Sequence, residues 1–114
     1  MTRGTISIKK KDGSYNQLWY VNSDAYLTGL GKEIFDNLKT VDDIKRAVDI
    51  FEKAKCSSWL ETDLVLGEVE SIDHILEQYN DYSYVLDEET EKWGFYKYAK
   101  NKLYILEEEL TNCE

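Results

Sequence analysis

The residue types that most often carry catalysis are scarce in this chain and show no recognisable catalytic spacing. His74 is the only histidine, and the two cysteines, Cys56 and Cys113, are far from it in the sequence. A Ser-His-Asp or Cys-His arrangement needs a histidine beside its nucleophile, and His74 is expected on the partly exposed side of a short helix. Zinc usually takes four ligands, often in closely spaced pairs. We therefore predict a protein that is not an enzyme and holds no metal or other cofactor.

Carboxylates are abundant, and their distribution along the chain is uneven. The chain has 23 Asp and Glu against 14 Lys and Arg, a formal charge of −9. Residues 1–56 contain ten basic and eight acidic residues, a net of +2, whereas residues 57–114 contain four basic and fifteen acidic residues, a net of −11. Abundance alone does not define a glycosidase-type carboxylate pair. The acidity of the second half indicates a basic partner.

The last third of the chain combines this acidity with aromatic residues. Trp93 and Phe95 are expected on one face of a strand, and Tyr96 and Tyr98 on the other. One pair belongs to the core, and the other is either exposed beside the carboxylates or covered by a helix. A surface of carboxylates among aromatics can occupy a site built for nucleic acid, because its charges stand where phosphates would. The predicted partner-binding residues are Asp87, Glu88, Glu89, Glu91, Trp93, Tyr96, Tyr98, Glu107 and Glu108.

A glycine pair that opens a helix is a second candidate site. Gly29-Leu30-Gly31-Lys32 lacks the spacing of a phosphate-binding P-loop, but a lysine in a first helical turn can meet an anion. The alternative is a flexible helix entrance without a ligand. Similarly, Lys9-Lys10-Lys11 is either a solvated hairpin end or a contact for an acidic molecule. The predicted anion or ligand residues are Ser23, Asp24, Tyr26, Gly29, Gly31 and Lys32.

Hydrophobic periodicity and turn signals predict the elements that position these residues. Asp12-Gly13-Ser14 marks a turn between two strands. Thr40 is a helix N-cap, with Asp43 in the first turn. Residues 56–70 are either strand or loop, and residues from 107 onward are either a short helix or a charged tail. The predicted elements are strands at 5–11 and 15–21, helices at 24–38, 40–55 and 71–79, and strands at 82–87, 92–99 and 103–106.

These elements predict an α+β fold with an N-terminal β-hairpin, two to three helices and a C-terminal antiparallel β-meander, in a single small sheet packed by helices. Residues 1–114 contain no proline, repeat or linker, so they form one domain. No apolar run approaches the roughly 18–20 residues that span a membrane, and residues 1–5 lead into a strand-like pattern without the apolar stretch expected of a signal peptide. We expect a cytoplasmic protein with reduced cysteines.

Both ends of the chain carry short motifs, among them Thr5-Ile6-Ser7-Ile8-Lys9 with Asp12-Gly13-Ser14, and Tyr82 to Asp87 with Glu91-Lys92-Trp93. In these motifs the chain resembles a family of small uncharacterised phage and prophage proteins. Members carry a T-I-x-I-K-x-x-D-G-S strand and turn, a later D-G-Y, and a G-K that begins a helix. Ala25 stands where the family has glycine, and the Cys-His that the family often places before D-G-Y is absent. The matching segments are residues 5–9, 12–14, 23–26, 29, 31–32, 82–87 and 91–93. The resemblance implies that the protein comes from a phage or mobile element, in which small acidic proteins often disable host defence. It would then act in the cytosol of the host cell.

The first hypothesis is therefore an anti-defence inhibitor, of which an anti-CRISPR protein is one kind. It would bind the basic surface of a nucleic-acid-handling host protein without contacting nucleic acid or membrane. The alternative is a protein that binds or sequesters a small molecule such as a signalling nucleotide, with residues 29–32 and nearby tyrosines forming the pocket. A third possibility is an accessory domain whose acidity only provides solubility.

Overall fold

The structure is a computed structural model that describes residues 2–21, 25–54, 62–78, 80–98, 100 and 102–113. It is an α+β fold in which one sheet is packed by helices. The strands are β1 (Gly4–Lys9), β2 (Tyr15–Val21), β3 (Thr62–Val69), β4 (Tyr82–Asp87), β5 (Trp93–Lys97) and β6 (Tyr104–Ile105). A π-helical turn (Leu27–Gly31) precedes four α-helices, α1 (Lys32–Asn37), α2 (Val41–Ala54), α3 (Ile72–Leu76) and α4 (Leu106–Cys113).

The N-terminal hairpin forms as predicted, and its turn is stabilised locally. Gly13 adopts a φ of 92°, which glycine accepts without steric cost. The Asp12 carboxylate accepts hydrogen bonds from the Ser14 backbone N–H at 2.9 Å and from the Ser14 hydroxyl at 2.6 Å. The side chain of Asp12 therefore closes the turn.

A bulge in β2 changes the predicted faces of that strand. Alternation would place Leu18 opposite Trp19, but Ile6 pairs with Trp19 and Ser7 pairs with Gln17, so Leu18 is the extra residue. Leu18 and Trp19 consequently pack in the same core cluster, with 7% and 0% of their surfaces exposed. A bulge inserts one residue between paired neighbours and so breaks the period of two.

The sheet is mixed, in the order β3-β2-β1-β4-β5-β6. The hairpin and the meander join through β1 and β4, which pair in parallel from Gly4↔Tyr82 to Lys9↔Asp87. All other neighbours pair antiparallel. β3 forms one edge of the sheet. It covers most of residues 56–70, for which the sequence allowed either a strand or a loop. The predicted final strand is shorter, because only Tyr104 and Ile105 pair with β5.

The helices differ from the prediction mainly in length. The helix expected over residues 24–38 is a π-helical turn followed by the six residues of α1, consistent with the weakening effect of Gly29 and Gly31. α2 begins where predicted. Thr40 Oγ1 accepts from the Asp43 N–H at 3.1 Å, and Asp43 Oδ2 accepts from the Thr40 N–H at 3.2 Å. This reciprocal arrangement is a capping box. α3 is only five residues long, and the residues from Leu106 onward form α4.

Helices cover both faces of the sheet, but unequally. One face, the main face, carries the larger core, which includes Ile6, Trp19 and Phe95 from the strands and Ile44 and Leu106 from α2 and α4. The opposite face, the α3 face, carries a smaller cluster of Tyr15, Ile75 and Val85. Sequence alternation left open whether a helix covers this second face, and α3 does so in part. No helix in the described part of the chain has the length and apolar composition needed to cross a membrane.

Candidate functional site

Three predicted partner-binding carboxylates, at the end of β4 and in the β4–β5 loop, accept hydrogen bonds from backbone N–H groups. Asp87 Oδ1 accepts from the Glu89 N–H at 2.8 Å, which closes the loop. Glu88 Oε2 accepts from the Lys11 N–H at 3.1 Å, and Glu91 Oε2 accepts from the Val41 N–H at 2.9 Å. The loop is thereby joined to the first hairpin and to the N-terminus of α2, where a negative charge is favoured by the helix dipole.

Glu91 also has an unusual backbone conformation. Its φ of 55° lies in the left-handed region, and among the described residues it is the only non-glycine residue there. Such a conformation is tolerated where surrounding contacts determine it. The bond from Glu91 N–H to Asp87 O at 2.8 Å and the bond to Val41 supply those contacts. The role of Glu91 that the structure shows is therefore structural.

The other three predicted carboxylates, Glu89, Glu107 and Glu108, are exposed. Within the described part of the chain, none of them makes a hydrogen bond or ion pair through its carboxylate. Glu89 lies in the β4–β5 loop, and the other two lie in the first turn of α4. A basic group of a partner can therefore bind these three carboxylates without breaking a hydrogen bond between described residues.

An open groove of about 200 Å³, which Glu107 lines, lies between α1, the start of β5, β6 and the start of α4. We call it the β5–α4 groove. It brings together three predicted site residues, Glu91, Trp93 and Glu107, and its remaining lining residues are Phe35, Lys39, Lys92 and Ile105. The groove has aromatic and aliphatic walls with charges of both signs.

The three predicted aromatic site residues have different environments. Trp93 is 5% exposed, and its indole N–H donates to the Leu38 carbonyl oxygen at 2.6 Å, so Trp93 belongs to the core and only its edge reaches the groove. Tyr96 is half-buried on the α3 face. Tyr98 follows the end of β5 and is 54% exposed. The expectation of one core pair and one outer pair is met by Trp93 and Phe95 on one side of β5 and Tyr96 on the other.

Tyr15 and Tyr96 pack in the same cluster on the α3 face, and each influences the pKa of the other. Burial, with smaller contributions from Tyr96 and Asp87, raises the pKa of Tyr15 to about 12. Burial also raises the pKa of Tyr96 and, on the main face, that of Tyr84. The Tyr84 hydroxyl donates to the Ala25 carbonyl oxygen at 2.6 Å. These tyrosines are core groups held in the neutral state.

Alkaline pH should destabilise the protein through these tyrosines. An unfolded tyrosine ionises near pH 10, whereas folded Tyr15 keeps its proton until about pH 12. The stability that comes from the neutral hydroxyl is complete below about pH 10 and is lost as the pH rises toward 12. We expect the urea midpoint to fall over this interval, and to fall less steeply in Tyr15→Phe. Equal pH slopes for both proteins would contradict this assignment.

The predicted anion site at the glycine pair is occupied by the chain's own contacts. The N–H groups of Gly29 and Gly31 donate to the Tyr26 carbonyl oxygen, and that of Lys32 donates to the carbonyl oxygens of Leu27 and Gly29. A Cβ at Gly31 would lie 3.2 Å from the Tyr84 hydroxyl oxygen, so this glycine allows close packing. An anion would have to compete with these bonds. Ser23 and Asp24 lie outside the described residues.

The remaining member of that set, Tyr26, lines a different and wider cleft. This cleft, which we call the tyrosine–lysine cleft, has a volume of about 370 Å³ and lies beside the turn that follows β5. The sequence analysis did not predict this cleft. The closeness of Lys97, Tyr98 and Lys100 in the sequence could have suggested a basic and aromatic site there. Its lining residues are Thr2, Tyr26, Asp81, Tyr82, Lys97, Tyr98 and Lys100.

The lysine run at the first hairpin is involved in intramolecular bonds. Lys10 Nζ forms an ion pair with Glu68 at 2.9 Å, which raises the pKa of Lys10. Between Lys55 and Lys92 the sequence has eleven acidic residues and no lysine or arginine. The tip of the first hairpin forms hydrogen bonds with two residues of this acidic stretch, Glu68 and Glu88. The Lys10 side chain and the Lys11 backbone thus contact carboxylates of the chain itself, and a contact with a separate acidic molecule stays a prediction.

His74 is exposed, and its Nδ1 lies 3.3 Å from the Ser71 hydroxyl oxygen. Among the described residues, no group of three or more His, Cys, Asp or Glu side chains could hold a metal ion.

Comparisons of the chain with protein-family models, curated proteins and solved structures found no match. The resemblance to small phage proteins therefore stays a prediction from the sequence.

Proposed function

We propose that the protein is a non-catalytic inhibitor that binds the basic surface of a nucleic-acid-handling protein through its acidic C-terminal half. The phage setting implied by the sequence makes an anti-defence role, such as inhibition of a CRISPR effector, the first to test. The observation that carries the proposal is a set of exposed carboxylates, Glu89, Glu107 and Glu108, that make no hydrogen bond or ion pair with the described residues, and of which Glu107 lines an open groove.

The charges support docking more strongly than a role in solubility alone. Carboxylates that already accept backbone hydrogen bonds, such as Glu88 and Glu91, are poorly suited to bind a partner because the fold uses them. Among the described residues Glu89 and Glu107 carry no such role, and both of their segments reach the β5–α4 groove, which Glu91 and Glu107 line. Opposed charges across an interface accelerate association and select the partner. A basic nucleic-acid-binding groove has the complementary charge, since it is built to hold phosphates.

The apolar part of the β5–α4 groove provides the second element of an interface. Ile105 is 40% exposed, and it lines the groove together with Phe35 and the edge of Trp93. Interfaces typically combine a small apolar centre with a polar rim. The groove has this pattern, with Glu107 and Lys39 among its charged lining residues. A partner side chain that enters the groove would bring its surrounding cations close to Glu107.

Charge reversal tests this proposal. The variant Glu89→Lys/Glu107→Lys should lower affinity for the partner at least about tenfold, because two attractive contacts become repulsive. Binding is measured by interferometry against a panel of purified nucleic-acid-binding proteins with basic grooves, CRISPR effector complexes included. The unmodified protein should bind at least one of them, more weakly as salt is raised, and an oligonucleotide ligand of that protein should compete.

The matched control is Glu70→Lys/Glu77→Lys. Glu70 and Glu77 are also exposed, but they lie on either side of α3. Each substitution adds two charges, so both variants change the formal charge from −9 to −5. The control should keep its affinity within about threefold if docking is local. Equal losses in both variants would show that only overall charge matters, and no binding to any panel member would contradict the proposal.

A further inference from the structure

The tyrosine–lysine cleft differs in charge from most of the surface. Two lysines, Lys97 and Lys100, line it against one carboxylate, Asp81. One oxygen of that carboxylate, Oδ2, already accepts from the Arg3 backbone N–H at 2.9 Å. In a chain of charge −9, this cleft is a place where two cations can attract an anionic ligand.

Exposed aromatic rings occupy the same cleft. The exposed large hydrophobic side chains of the described chain are Tyr26, Tyr98, Leu103 and Ile105, and two of them line the cleft, with 42% exposure for Tyr26 and 54% for Tyr98. Half-buried Tyr82 adds a third ring and is stacked on Tyr84, with 5.9 Å between centroids and an interplanar angle of 18°. Aromatic rings beside cations favour a ligand that has both a planar ring and a negative charge.

The cleft is largely preformed. The Lys100 N–H donates to the Lys97 carbonyl oxygen at 3.1 Å, so a tight turn brings the two lysines onto one short segment. The Tyr98 N–H donates to the Asp81 carbonyl oxygen at 3.0 Å, which ties this segment to the start of β4. Lys97 Nζ lies 4.7 Å from the centroid of the Tyr104 ring, a cation–π contact that restricts the side chain.

We propose that the tyrosine–lysine cleft binds a nucleoside monophosphate, with the base on the tyrosine rings and the phosphate on Lys97 and Lys100. Its volume of about 370 Å³ lies in the range of small-molecule sites. The other oxygen of the Asp81 carboxylate, Oδ1, has no hydrogen-bond partner among the described residues and can accept hydrogen bonds from ribose hydroxyls. This site goes beyond the docking proposal, since it contains neither Glu89 nor Glu107 and lies apart from the β5–α4 groove.

The test is titration of the isotope-labelled protein with AMP, GMP, CMP and UMP, followed by NMR. At least one monophosphate should shift the amide signals of Tyr26, Lys97, Tyr98 and Lys100, with a dissociation constant below about 1 mM. The corresponding nucleoside and inorganic phosphate should each bind at least about tenfold more weakly, because each supplies only half of the recognised chemistry. Equal binding of phosphate alone would overturn the role of the tyrosines.

Variants localise the site. Tyr98→Ala and Lys97→Gln/Lys100→Gln should each weaken binding at least about tenfold. Lys102→Gln is the matched control, because Lys102 Nζ also lies over the Tyr104 ring, at 4.9 Å, but does not line the cleft. Glu89→Lys/Glu107→Lys should bind the nucleotide as the unmodified protein does. Unchanged affinity in the cleft variants, or no binding of any monophosphate, overturns the proposal. So does binding of a short single-stranded oligonucleotide alone, which would assign the cleft to nucleic acid.

Discussion

Replacing Trp93 with alanine is expected to lower the free energy of unfolding by about 3–5 kcal/mol, the range for removal of a large buried aromatic side chain. Trp93 is 5% exposed, packs in the main core, and donates its indole N–H to the Leu38 carbonyl oxygen. Alanine therefore leaves a cavity and removes a buried hydrogen bond. The measurement is chemical denaturation followed by circular dichroism, since tryptophan fluorescence would change with the substitution itself.

Tyr98→Ala is the control for this prediction, because both residues were assigned to the partner surface from the sequence. Tyr98 is 54% exposed, so its removal should cost less than about 1 kcal/mol. Trp93→Phe separates packing from hydrogen bonding. It keeps an apolar ring but leaves the Leu38 carbonyl oxygen without the indole donor, at a cost of about 1–3 kcal/mol. Similar losses for Trp93→Ala and Tyr98→Ala would contradict a core position for Trp93.

Gly4→Ala should destabilise the protein by about 2–3 kcal/mol, at the upper end of the usual cost of overpacking. A Cβ at Gly4 would lie 2.8 Å from the Ala25 Cβ and 2.9 Å from the Tyr82 carbonyl oxygen. The second atom belongs to the β4 backbone, which is held in parallel pairing with β1, so it cannot move away cheaply. Thermal and urea unfolding report the change, and the loss should appear in the urea midpoint without a change in slope.

Gly67→Ala is a matched control on the same sheet. A Cβ at Gly67 meets no atom of the described chain within 4 Å, and its φ is not in the left-handed region. Alanine should therefore be neutral or stabilising by about 0.4–1 kcal/mol, because it restricts the unfolded chain. In the Gly4→Ala background, Ala25→Gly should recover part of the loss by removing one of the two close contacts. No difference between Gly4→Ala and Gly67→Ala would contradict the close approach of β1 and β4.

Several local features could be predicted because their causes lie within a few residues of one another. The hairpin turn depends on Asp12 and Gly13, whose bonds and φ are set within the turn. The start of α2 depends on Thr40 and Asp43, which cap each other across three residues. The alternation in β5 separated Trp93 from Tyr96 correctly. The bulge at Leu18 broke the same alternation rule in β2, because it depends on pairing with β1 and β3.

The candidate site was less predictable, because the same residue type has two roles. Glu88, Glu89 and Glu91 are equivalent by composition, yet Glu88 and Glu91 accept hydrogen bonds from residues 77 and 50 positions away, and Glu89 does not. Long-range partners cannot be found by periodicity. The tyrosine–lysine cleft was missed for the same reason, since it unites Thr2 and Tyr26 with residues 81–100.

The scarcity of histidine and cysteine and the excess of carboxylates were visible in the sequence, as was the concentration of acidity in residues 57–114, with a net charge of −11. These are properties of composition, and folding does not change them. Tertiary structure decided which carboxylates serve the fold and which face outward, because that depends on which backbone donors β1, α2 and the β4–β5 loop bring together. It also placed two lysines beside exposed tyrosines in an otherwise acidic chain, since only the paired strands bring the N-terminus to the turn after β5.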